Sequence, residues 1–245
     1  MRTAWPDPVR VVPGRPARLW AWTLPAGLAA GIVSWIAGEV AHNAFAPVAE
    51  ARRIMAGTQL IASPAAMAAA GAKNAALAFG LLGVATGVAM SAAGALVGRS
   101  RRATVVAALS GATLGGVVGS SAAWVAATAF YRVYDPVEDR LALSLLMQAG
   151  IGVAVGAAGG LALAWGLARP GLAVRAALGG ALGAALGQAI YVVLGTLTFP
   201  LDRTALPLAA TPAPRLVARL LLATLTAAGA TAAAGGPRVP RTSGP

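Results

Sequence analysis

Apolar residues fill this chain in six long blocks, and charged positions gather mostly in the intervals between them. A helix rises about 1.5 Å per residue, so about 20 such residues cross the roughly 30 Å hydrocarbon layer of a bilayer. The blocks run from Leu19 to Ala41, Asn74 to Gly98, Ala103 to Phe130, Leu141 to Ala168, Leu172 to Phe199 and Leu216 to Gly235. No segment carries a strand pattern. The pattern therefore predicts an all-α fold, a polytopic transmembrane helix bundle of six spans.

The intervals support this division. Arg99, Arg101 and Arg102 part spans two and three, and Arg169-Pro170-Gly171 parts four and five, so each pair reads as a tight hairpin. The run from Tyr134 to Arg140 separates spans three and four, and a proline-rich run from Pro207 to Pro214 separates five and six. Ser63-Pro64 has the order of an N-cap and first helical residue, so the second helix can begin well before its apolar block. The expected organisation is a basic cytoplasmic segment over residues 1–18, a six-span domain over 19–235 and a disordered cytoplasmic tail over 236–245.

Composition narrows the class. The 245 residues are 58% hydrophobic and 11% charged, with a mean hydropathy of +0.74, which is too apolar for a soluble domain. There are no cysteines, which removes disulfides, thiolate metal sites and cysteine nucleophiles. The net charge of +12 would suggest nucleic acid in a soluble chain, but here the basic residues lie between apolar spans, with no interleaved aromatics. They read as topology signals, and no nucleic-acid partner is expected.

Alternate connections fall on alternate sides. Arg2, Arg10, Arg15, Arg18, Arg99, Arg101, Arg102, Arg169, Arg175, Arg238 and Arg241 share one side, giving eleven basic residues. The other side holds eight, together with six of the seven acids. The positive-inside rule then places both termini in the cytoplasm of a bacterial inner membrane. Trp20, Trp22 and Trp165 near one surface, with Phe130, Tyr131, Tyr134 and Phe199 near the other, suit interfacial belts. The first span is longer than the apolar core of a signal peptide, and a retained helix is the expectation.

Glycines recur at four-residue spacing: Gly27 and Gly31 in span one, Gly83 and Gly87 in span two, Gly111, Gly115 and Gly119 in span three, and Gly179, Gly183 and Gly187 in span five. That spacing puts them on one face, where another helix backbone can approach closely. A glycine- and alanine-rich chain also produces such spacings by chance. The triplets of spans three and five overlay at a shift of 68 residues, while Gly83 to Ala95 overlays the segment from Gly152 at a shift of 69. One deletion reconciles the two shifts and suggests a duplicated two-helix hairpin. Span one partly echoes its second helix, since Arg18, Gly27 and Gly31 keep the spacing of Arg102, Gly111 and Gly115.

Candidate chemistry is sparse. Gln188 is the most central strongly polar residue, and Gln148 lies higher in the neighbouring span; both are candidate substrate contacts, with helix–helix glue as the plainer reading. Arg175 and Arg219 lie about one turn inside their spans and read as anchors that snorkel to the interface. Glu39 and His42 share a helical face, but a di-metal carboxylate site needs a second Glu-x-x-His and more glutamates than this chain has. With Asp135, Glu138, Asp139 and Asp202 they form a candidate polar cluster at the outer surface. No nucleophile elbow, phosphate loop or zinc motif occurs, so neither a cofactor nor a metal nor catalysis is expected. The resulting expectation is a non-catalytic bundle with a structural or assembly role, held within or between chains by glycine faces in homo- or hetero-oligomers. The alternative is a small carrier or pore without obvious ion coupling.

Overall fold

The computed structural model describes residues 15–54, 57–98, 101–134, 141–200, 202 and 204–236. Among these lie six helices: α1 (Arg15–Val40), α2 (Pro64–Gly98), α3 (Arg101–Val133), α4 (Leu141–Gly166), α5 (Ala173–Thr198) and α6 (Pro212–Gly235). All six contain a stretch long and apolar enough to cross a bilayer. The chain is an all-α integral membrane bundle, and its outward side chains, such as Leu109, Leu146, Leu182 and Leu197, are large, apolar and exposed, as contact with lipid requires.

Two local readings need correction. The α1–α2 connection contains an antiparallel hairpin, β1 (Ala49–Ile54) paired with β2 (Gly57–Ala62), where no strand was expected. Its described side chains are largely exposed, so no buried face imposes the alternation by which a strand is recognised. Helix α6 begins at Pro212, which brings Arg215 inside the helix rather than in the loop before it. The start of α2 agrees with its punctuation, since the Ala66 amide donates to Ser63 Oγ at 3.1 Å.

Between α4 and α5 the turn closes on Ala168, a non-glycine residue at φ 52°, while a 3-10 turn over Pro170–Leu172 leads into α5. The left-handed region costs an L-residue roughly 1–2 kcal/mol. Ala168→Gly is therefore expected to raise stability by about 1 kcal/mol, read as a higher midpoint of thermal unfolding in detergent.

The helices close into a ring in which each packs on the next and α6 returns to α1. Helices α2, α4 and α6 also touch one another, so they line the axis while α1, α3 and α5 lie outside. Glycine sets how closely they approach. A Cβ added at Gly83 would strike the Gly115 carbonyl and one at Gly87 the Gly111 carbonyl, joining α2 to α3. Gly156 meets Gly180, and Gly160 meets Ala176, between α4 and α5. Gly179, Gly183 and Gly187 face Gly229, Leu225 and Leu221 of α6. Gly27 and Gly31 lie against Ala223 and Leu220 of the same helix, and Gly119 against Phe79 of α2.

These seams fix a register. Gly87 against Gly111 corresponds to Gly156 against Gly180, and Gly83 against Gly115 to Gly152 against Ala184, each residue displaced by 69. These contact pairs share one displacement of 69 residues. Gly111, Gly115 and Gly119 pack on α2, whereas Gly179, Gly183 and Gly187 pack on α6.

Candidate functional site

The polar centre lies near the end of the bundle that carries the β-hairpin. Helix α6 enters there with Arg215 and Arg219 one turn apart, both turned inward and only 5% and 6% exposed. Arg219 contradicts its reading as a snorkelling anchor. Its guanidinium crosses to α1 and donates to the Ser34 carbonyl, in space that exists because residue 38 is glycine; a Cβ there would overlap the guanidinium. Arg175 is exposed near the start of α5, as an anchor would be.

Arg215 organises the surroundings. It meets Glu39 in a bidentate pair, Nε to Oε1 at 2.7 Å and Nη2 to Oε2 at 2.6 Å, and its Nη1 donates to the carbonyls of Ala209 and Ala210 at 2.8 Å each. Bidentate charge-assisted bonds are the strong and directional kind. They tie α6 to α1 and to the α5–α6 loop together. The same loop is held elsewhere, with Ser144 Oγ donating to the Ala205 carbonyl at 2.9 Å and Gln148 Nε2 to the Leu206 carbonyl at 3.1 Å. The loop thus folds inward as a cap, and Thr204 and Ala209 in it are buried.

Beneath the cap lies a cavity of about 20 Å³, room for the centre of a water molecule or an ion of similar size. Gln148, Gln188, Tyr191, Arg215 and Arg219 supply its polar wall, and Phe79, Leu82 and the loop residues Pro207 to Ala209 much of the apolar remainder. The two glutamines thus come together. Gln148 is bonded to the loop, while Gln188, 1% exposed, has an Oε1 with no hydrogen-bond partner. Comparison with protein-family models, with curated proteins and with solved structures finds no match. What this site does must be argued from its own geometry.

The outer polar residues do not act as one cluster. Glu39 is committed to Arg215, and Asp202 accepts from Thr211 Oγ1 at 2.6 Å within the loop. Asp135, Glu138 and Asp139 lie outside the described residues. His42 follows Glu39 on the first turn past α1 and borders a second, smaller cleft with Asn43, Asn74, Arg215 and Arg219. Asn74 closes that region by exchanging two hydrogen bonds with the Phe45 backbone, at 2.9 and 3.0 Å.

Burial lowers the His42 pKa below 6.5, helped by the charges of Arg215 and Arg219 and opposed by Glu39. A base that binds its proton less readily when folded destabilises the fold as pH drops below its unfolded value, and contributes nothing above it. Stability is expected to fall from about pH 6.5 downward, with His42→Gln removing that part of the loss. Unfolding midpoints of both proteins across this window provide the check.

Sequence reading missed the two arginines and Gly38. A signal existed: Arg215 and Arg219 are the only charges in α6, at a spacing that puts them on one face, and Glu39 is the only acid in α1. Charges within spans usually turn toward the bundle interior and pair there.

Proposed function

We propose that the protein is a non-catalytic membrane bundle with a structural or assembly role, built by repeating one hairpin unit around an axis normal to the bilayer. The observation that carries this reading is the closed middle. Below the capped cavity, Leu82, Ile151, Val155 and Leu222 are fully buried, and Met90 and Leu163 continue the packed column. Glycine seams bring backbones together between α2 and α3, α4 and α5, α5 and α6, and α1 and α6 around it. Such packing suits rigidity better than passage of a solute.

The shared displacement of 69 residues supports the repeat. In each hairpin the inner helix (α2 or α4) meets the outer one (α3 or α5) through glycine or alanine at matching positions. Helices α6 and α1 meet in a similar antiparallel manner and complete a third pair, with its two helices at opposite ends of the sequence. Helices within each pair run antiparallel, so α2, α4 and α6 point the same way. Because the spaced glycines face helices of the same chain, any partner would be met through the lipid-facing flanks or the capped end.

One observation favours a second reading, a small carrier: Gln148 and Gln188 share a cavity wall with two arginines. Flux from liposomes separates the two. The purified chain reconstituted into vesicles is expected to release small ions and neutral solutes no faster than protein-free vesicles. Saturable flux that Gln188→Leu abolishes would replace the structural reading with the carrier.

For location we infer a bacterial inner membrane with both termini cytoplasmic, from eleven basic residues against eight. Since the chain lacks cysteine, single cysteines can be introduced without background. Ala62→Cys is expected to react with a membrane-impermeant maleimide in whole cells, and Ser243→Cys only after lysis.

A further inference from the structure

We propose that the capped cavity binds one small inorganic anion, of chloride size, as the counter-ion of Arg219. The basis is a charge count at a buried place. Arg215 and Arg219 are both within α6 and both nearly fully buried, and a guanidinium keeps its proton under all ordinary conditions. Against these two charges the described residues of the site supply one carboxylate, Glu39, whose two oxygens both bond to Arg215. His42 adds no compensating charge, since a histidine is neutral or positive. Tyr191 is a phenol, Asp202 is engaged by Thr211 in the loop, and Glu50, the remaining described acid at this end, is exposed in β1. Among the described residues one positive charge is left over inside an apolar bundle.

Hydrogen bonding points the same way. A guanidinium has five N–H donors. Among the described residues Arg219 donates to one acceptor, the Ser34 carbonyl. An uncompensated ion removed from water is costly, so the fold gains by admitting an opposite charge wherever space adjoins it. Space adjoins it in the cavity of about 20 Å³. That is room for the centre of one water-sized sphere, which a monatomic anion fills. Donors for such an ion are at hand in the Gln188 amide, whose oxygen is unpartnered and whose two ends exchange by a half-turn, and in the Tyr191 hydroxyl. Glycine at 38, which borders the smaller cleft that Arg219 also lines, makes room for the guanidinium against α1.

The test is halide-dependent stability of the purified full-length protein in a neutral detergent at constant ionic strength. Exchanging sodium gluconate for sodium chloride is expected to raise the unfolding midpoint progressively, as mass action requires of an ion bound only by the folded state. Gluconate, a six-carbon polyhydroxy anion, is far larger than chloride. Gln188→Glu, which sets a carboxylate in the cavity wall, is expected to abolish the chloride effect by supplying the missing charge. A direct reading needs no variant: chloride-35 resonance broadening by the wild-type protein, reversed by bromide. Equal midpoints in chloride and gluconate, the absence of bromide-sensitive broadening, or a Gln188→Glu protein as chloride-dependent as the parent would each overturn the proposal. None of these outcomes depends on whether the bundle transports anything.

Discussion

Replacing Gly183 by leucine is expected to destabilise the protein by roughly 3 kcal/mol, at the upper end of ordinary overpacking. The added Cβ would strike the Leu225 carbonyl on α6, and the neighbouring contact is the Gly229 Cα. Both obstacles are backbone, so no side-chain rotation relieves the clash and the two helices must separate. Separation would propagate, because Gly179 and Gly187 hold the same seam on either side. In lipid, helix association relies on such close contact, since apolar tails offer no hydrophobic reward for it. Gly150 supplies the control: it lies on an exposed position of α4 and a Cβ there meets nothing within 4 Å. Gly150→Leu is expected to be neutral, or to gain up to about 1 kcal/mol from helix propensity. Thermal unfolding and size-exclusion behaviour in detergent distinguish the two variants, and equal losses at both positions would mean that position in the seam does not matter.

The contrast between those glycines explains what the sequence could tell. Span positions were legible because lipid imposes a length and a composition on each helix independently of its neighbours. Ser63 and Pro64 were legible for a similar reason, since capping is local. Which helix a glycine meets is not local. Helix α5 carries Gly179 and Gly180 side by side, about 100° apart around the axis; one faces α6 and the other α4. Spacing identified a face in the first case and left the second, isolated glycine unnoticed. The same limit hid the polar centre. A hydropathy pattern treats an arginine seven residues into a helix as near enough to the surface to snorkel, and only the inward direction of its face, with Gly38 opposite, turns it into a buried charge. Gln148 and Gln188 were found by their depth, but their common cavity depends on a loop whose inward fold no local pattern announces.

Neutralising Glu39 is expected to cost about 3 kcal/mol, the lower part of the range for breaking a buried ion pair by removing one partner. The carboxylate is 24% exposed, so some of its interaction with Arg215 is already shared with solvent. The loss comes chiefly from what remains: Glu39→Gln leaves two guanidiniums one turn apart without a counter-charge among the described residues. Arg215→Met removes one of them and leaves Glu39 free to face Arg219, although it also releases the loop carbonyls of Ala209 and Ala210. The double variant should therefore be more stable than the sum of the two single losses predicts, and the difference measures the coupling between the partners. A coupling of about 2 kcal/mol or more is the expected result for a largely desolvated bidentate pair. If the losses instead add, the pair is solvated in the folded protein. The α5–α6 loop would then have to be open to water, and a capped, charge-unbalanced cavity could not persist beneath it.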